Sequence, residues 1–367
     1  MSQTPAFHGS DLERVASYYH LPKDEIICFS ANVNPLGFPE HTAGLVCQHF
    51  SELMTHYPDR DYSGLKKAVG DYCHVPPEYV LVGNGSTELI SLLIQYSGKK
   101  KAVQAGPSYS EYERELRLAG ISYTTWFPKK ESLFRPDVGE LLSFLTSCGA
   151  DFLILCNPNN PTACALSTDE ISVLLQGCLE RGVFVMIDET YAEFADREVS
   201  AMPLTASFPN LMVIRGISKF FAAPGLRLGY GASGSHDFLD HVKKYQNPWS
   251  VNSVAAFAGE HLFFEKEFIA KSKALISGER ARMIQGLSKI PSLFVYPSDS
   301  NFLLVEILDS SVTASDLFDH LIRQKLMIRD CSSFEGLGNR FFRFCLMLPE
   351  QNSLLLEAVH SFFSGKS

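Results

Sequence analysis

Between residues 79 and 231 the chain alternates short, wholly apolar runs with longer stretches in which apolar side chains recur at helical spacing. Residues 79–82, 102–104, 152–156, 183–187, 211–214 and 228–231 form the runs. They are too short for helices and apolar at successive positions, which predicts strands buried on both faces. Residues 87–96, 110–119, 136–146 and 168–181 carry the helical period, two of them opened by Ser or Thr at a cap position. Strand–helix alternation of this kind predicts an α/β fold, a mostly parallel sheet with helices on both faces.

After Pro248 the texture changes. Residues 252–290 read as one long helical stretch, followed by a strand over 301–308, a helix over 314–325, a strand over 340–347 and a last helix from Gln351. Without strict alternation these predict a smaller α+β domain. The division expected is an N-terminal arm and connecting segment over 1–45, a large domain over 46–250 and a small domain over 251–367. Pro35, Gly37 and Pro39 break regular structure near the first boundary.

Composition narrows the function. In a 367-residue chain, 46% hydrophobic and 20% charged residues are ordinary proportions for a globular enzyme, and a formal charge of −9 argues against a nucleic-acid surface. The nine cysteines form no C-x-x-C pair and several lie in apolar runs, so they read as reduced, buried thiols. The eleven histidines form no H-E-x-x-H or H-x-x-x-H pair, so no metal site is expected. The N-terminus lacks an apolar signal core and no run is long enough to span a membrane, which predicts a cytoplasmic protein with no membrane partner.

Four segments fall at the ends of predicted strands, where open α/β sheets bind ligands. Gly83-Asn84-Gly85-Ser86-Thr87-Glu88 joins a strand to a helix and offers free N–H groups to a phosphate; it lacks the third glycine of a dinucleotide site and the lysine of a P-loop. Cys156-Asn157-Pro158-Asn159-Asn160-Pro161-Thr162 must leave its strand as an irregular loop. Ile187-Asp188-Glu189-Thr190-Tyr191 delivers a carboxylate to the end of an apolar strand, where it needs a partner: a protonated cofactor ring, an arginine or a helix N-terminus. In Ser218-Lys219-Phe220-Phe221, a lysine among apolar residues has the setting for a lowered pKa and an imine with a carbonyl, and Ser218 and Arg227 can bond a phosphate.

In this order, with the S-K-x(7)-R spacing of Ser218, Lys219 and Arg227, the segments resemble fold-type-I pyridoxal-phosphate enzymes of the aminotransferase class I/II superfamily. The resemblance implies pyridoxal 5'-phosphate as cofactor and Lys219 as the lysine that condenses with it and shuttles protons. It implies that Asp188 pairs with the pyridine nitrogen, that Asn157 and Tyr191 bond the ring oxygen, and that Tyr109 stacks on the ring. Gly85, Ser86, Thr87, Ser218 and Arg227 would hold the cofactor phosphate. Tyr57 matches a tyrosine that reaches the neighbouring subunit's phosphate, which implies a homodimer with shared sites.

Within the superfamily the chain looks like threonine-phosphate decarboxylases and histidinol-phosphate aminotransferases. His8-Gly9-Ser10-Asp11, the 29–37 segment ending Asn34-Pro35-Leu36-Gly37, Asn247-Pro248-Trp249, and the run from Arg329 to Leu337 lean toward the decarboxylases. Ser10-Asp11 departs from their G-N, and Ile328-Arg329-Asp330 also fits the transaminases. The resemblance therefore implies a small, phosphorylated amino-acid substrate, with Arg343 on its carboxylate and Arg329, His8 and Asn32 on its distal group. The leading expectation is decarboxylation of O-phospho-L-threonine, feeding a cobamide side chain. The alternative is transamination of histidinol phosphate with 2-oxoglutarate.

Overall fold

The computed structural model of the protein describes Phe7 and residues 11–365. In chain order the strands are β1 (Ile27–Cys28), β2 (Val80–Gly83), β3 (Lys101–Ala105), β4 (Ser122–Trp126), β5 (Phe152–Cys156), β6 (Phe184–Asp188), β7 (Leu211–Gly216) and β8 (Gly229–Ala232). They continue with β9 (Leu293–Val295), β10 (Phe302–Ile307), β11 (Leu326–Met327), β12 (Arg329–Asp330) and β13 (Phe341–Cys345).

The large sheet runs β2-β8-β7-β6-β5-β3-β4. From β7 to β4 every neighbouring pair is parallel, whereas β8 lies antiparallel to both β2 and β7. Every residue of β5, β6 and β7 is buried, because helices cover both faces. Side-chain alternation divides these strands between two cores. Leu153, Leu155, Val185 and Ile187 join one, and Phe152, Ile154, Phe184 and Met186 the other. The expected architecture is confirmed, with an edge strand, β4, that its polar sequence Ser-Tyr-Thr-Thr-Trp concealed.

The second sheet, β12-β13-β10-β9, is antiparallel throughout, and β1 pairs in parallel with β11. The N-terminal segment is thus stitched to the C-terminal part of the chain. Residues 252–290 are two helices, Ser253–Leu262 and Lys266–Leu287. At the break, the Glu265 carboxylate takes hydrogen bonds from the Thr42 backbone N–H (2.9 Å) and hydroxyl (2.5 Å). That anchor to the start of helix Glu40–Thr55 has no signature in the local sequence. The nine cysteines are free, and no described helix is long and apolar enough to cross a membrane.

Candidate active site

The carboxyl ends of β3, β5, β6 and β7 lie along one edge of the large sheet, and each opens into one of the four singled-out segments or into Gly106-Pro107-Ser108-Tyr109. Gly85 begins helix Gly85–Tyr96 at φ +81°, and a Cβ there would stand 2.2 Å from Arg227 Nη2. Only glycine combines that backbone with that approach. From β8, a Cβ on Gly229 would meet Ser86 N at 2.3 Å. Two glycines thus let a helix N-terminus and a guanidinium close on one point, a cradle for an anion such as phosphate. Arg227 itself sits at φ 58°.

Asp188, the last residue of β6, is buried. Its Oδ1 accepts from Thr190 N (2.9 Å) and Thr190 Oγ1 (2.5 Å), and its Oδ2 accepts from Tyr112 Oη (2.6 Å). Burial pushes its carboxyl up, and these donors pull it back. Tyr109 caps the helix Ser110–Leu118 with its ring edge-on to Tyr112 at 5.6 Å, and burial pushes its phenol up to about 12.

Lys219, in the short helix Ile217–Phe220, donates from Nζ to Ala31 O at 2.7 Å. Burial, then the nearby Arg343 guanidinium, lower its ammonium to about 8. The lowered basicity expected from its apolar neighbours is therefore present, with a cation as a second cause. Residues 30–34 close over this lysine. Asn34 N donates to Lys219 O (2.9 Å), Ser30 O accepts from Arg343 Nη2 (2.9 Å), and Asn32 O accepts from Asn301 Nδ2 (3.0 Å).

Asn32 is buried at φ 55°, and its Nδ2 donates to Tyr191 Oη at 3.3 Å while its Oδ1 has no partner among the described residues. Arg343 is buried too, bonded to Ser30 O and Asn160 Oδ1, with Nε unpartnered among the described residues. Directly across the β12–β13 ladder stands Arg329, buried as well. Ser333 Oγ accepts from it at 2.8 Å, and its guanidinium lies 5.4 Å from the Phe334 ring centre. Neither arginine has a carboxylate in salt-bridge range among the described residues.

Not every expected residue converges here. Asn157 has both amide hydrogens on carbonyls, Leu166 O (3.1 Å) and Val199 O (2.9 Å), and its oxygen accepts from Leu166 N (2.8 Å). Both of its donors are thus engaged on backbone carbonyls, where it braces the loop. Asn160, in the same motif, is the asparagine turned to Arg343, and its Nδ2 has no partner among the described residues. Its place directly before Pro161-Thr162 is the feature of the sequence that sets it apart. Tyr57 is 82% exposed and packs on Trp249, ring centres 4.9 Å apart, away from the cluster. Ser218 adjoins Lys219 and Thr87 follows Ser86 in the chain. His8 lies outside the described residues. Among the described residues no group of metal-ligating side chains gathers.

Comparison with known proteins agrees with this geometry. The family model described as aminotransferase class I and II matches residues 24–359. The threonine-phosphate decarboxylase of Salmonella typhimurium is 30% identical over 361 residues, covering 98% of this chain and 97% of that protein. Among solved structures, the histidinol-phosphate aminotransferase of Clostridium acetobutylicum superposes with a TM-score of 0.86 at 29% identity, covering 92% of this chain and 99% of that one. The L-threonine-O-3-phosphate decarboxylase of Porphyromonas gingivalis gives 0.80 at 26%, with the same coverage.

Proposed function

Because the chain belongs to the aminotransferase class I and II family and is a pyridoxal-phosphate-dependent enzyme, we propose that it decarboxylates a small O-phosphorylated amino acid, O-phospho-L-threonine fitting best. Its residues suit the cofactor: a glycine cradle against an arginine, a half-buried amine of lowered basicity, and a buried carboxylate with no cationic partner. Bound there, pyridoxal 5'-phosphate supplies an aldehyde for amino groups and a ring that takes up the electron pair released at the substrate Cα.

In this reading Gly85, Ser86, Thr87, Ser218 and Arg227 hold the cofactor phosphate and Tyr109 covers the ring face. Asp188 pairs with the ring nitrogen. Tyr191 and Asn160, in place of Asn157, bond the ring oxygen. Lys219 anchors the cofactor and, once displaced by substrate, carries a proton to or from Cα. Tyr57 completes the phosphate site of a partner subunit in a homodimer, which accounts for an aromatic side chain left in solvent.

The observation that carries the substrate class is the cross-strand pair of buried arginines. Two guanidiniums opposite each other in a ladder repel, and burying either without an anion is costly. A substrate with a carboxylate for Arg343 and a phosphate for Arg329, Asn32 and His8 relieves both. Histidinol phosphate has no carboxylate. By gripping the carboxylate, Arg343 would also orient the substrate Cα against the bound cofactor, and so decide whether CO2 or a proton is lost.

The test is product analysis. Cofactor-loaded protein given O-phospho-L-threonine is expected to release CO2 and aminopropanol phosphate in equal amounts. A second reading, transamination of histidinol phosphate, draws on the likeness to the Clostridium enzyme. Glutamate formed from 2-oxoglutarate and histidinol phosphate, without CO2 release from phosphothreonine, would establish it instead.

A further inference from the structure

Lone-pair accounting at Asp188 singles out one more residue. A carboxylate oxygen has two lone pairs. Oδ1 spends both on Thr190, whose backbone N–H and hydroxyl donate at 2.9 and 2.5 Å. Oδ2 takes a single short bond, 2.6 Å, from Tyr112 Oη. Oδ2 is therefore the oxygen with capacity left, and Tyr112 shares it with whatever Asp188 binds next. Tyr112 is 1% exposed, at the inner face of helix Ser110–Leu118. The groups that face Asp188 from the elements around it are Tyr109 and Tyr112 from that helix and its cap, Cys156 from the end of β5, and Thr190 and Tyr191 from the turn after β6. None is a cation.

We propose that Tyr112 is a positioning residue for the cofactor: its phenol fixes Asp188 Oδ2 and keeps the carboxylate ionised to receive the ring N–H. A buried carboxylate with no cation beside it drifts toward its neutral acid, which cannot pair with a protonated ring. Thr190 alone satisfies the far oxygen and leaves the near one free to rotate or protonate. The phenol, itself locked by packing, supplies the missing donor on the correct side. The proposal rests on the cofactor reading above but not on the reaction branch, since both branches need the same ring pairing.

Equilibrium affinity of the apoprotein for pyridoxal 5'-phosphate, measured as a function of pH, tests it. Tyr112→Phe removes only the hydroxyl and is expected to weaken binding about tenfold at pH 7, the size of one hydrogen bond to a charged group. The pH below which affinity falls should move up, because Asp188 loses a donor to its ionised form. Replacing Tyr112 with 3-fluorotyrosine, a more acidic phenol of nearly the same shape, should move that pH down, and it carries the test alone if the Phe variant does not fold. In an Asp188→Asn background, Tyr112→Phe should change affinity less than twofold. An equal loss in that background, or unmoved pH edges in both variants, overturns the proposal. Wild-type protein that binds no cofactor at any pH would instead overturn the cofactor reading.

Discussion

Two settings of buried arginine, that of Arg215 and that of Arg343 with Arg329, differ in what surrounds them. Arg215, 7% exposed, donates from Nε and Nη2 to Glu189 at 2.9 and 2.8 Å and lies 3.6 Å from Glu193, which also accepts from Tyr230. Arg343 and Arg329, 4% and 8% exposed, face each other and, among the described residues, hydrogen-bond only to amide, hydroxyl and carbonyl oxygens, with Asp330 and Asp11 acting on Arg329 from longer range. Burial is equal; the charge balance is opposite. The first cluster has its anions within the chain and ties the end of β6 to β7. The second has no carboxylate in salt-bridge range of either guanidinium among the described residues, the setting proposed above for an anionic ligand.

The largest expected effect tests whether the chemistry belongs with the second cluster. Lys219→Ala should lower turnover by on the order of 10⁴-fold or more at equal cofactor occupancy, read as product released per cofactor bound. Next, Arg215→Met should destabilise the fold by about 3–5 kcal/mol in urea unfolding, since it strands two buried carboxyls. Arg329→Met in the ligand-free protein should be neutral or stabilising in the same assay, and equal losses would erase the distinction. Arg343→Leu should cost about 2–4 kcal/mol of transition-state stabilisation in kcat/KM with little loss of stability.

A smaller effect is pH-dependent. The unfolded chain keeps the Lys219 proton up to its ordinary 10.5, whereas the folded protein releases it near 8. The unfolded state thus binds more protons between those values, and this group's contribution to stability rises with pH across that window. Below pH 8 its burial is a full cost. Apoprotein Lys219→Met should therefore be more stable than wild type by about 1–3 kcal/mol at pH 7, with the gap closing toward pH 10.5. A constant gap in denaturant unfolding would show that lost charge is not the cause.

The same contrast explains what could be read from the chain. The parallel strands were legible because burial on both faces leaves unbroken apolar runs such as Phe152–Cys156. The β4 edge was not, since its side chains alternate and its sequence is polar. In the site, Lys219, Asp188 and Arg227 were legible from fixed local spacing. The partners that define the site's chemistry come from 76 to 188 residues away: Ala31 on Lys219, Tyr112 on Asp188, Asn160 on Arg343. Three asparagines, Asn157, Asn159 and Asn160, share one motif, and only three-dimensional hydrogen bonding shows which are spent on backbone carbonyls.

Arg329 and Arg343, without a carboxylate in salt-bridge range among the described residues, are proposed as the seat of a doubly anionic substrate. Equilibrium binding of O-phospho-L-threonine and L-threonine to cofactor-loaded Lys219→Ala protein, where turnover is blocked, tests it most directly. The phosphorylated compound should bind on the order of 100-fold more tightly, the worth of a charge-assisted contact in a buried site, and adding Arg329→Gln should abolish most of that preference. Equal affinities, or a preference untouched by the Arg329 change, would contradict it.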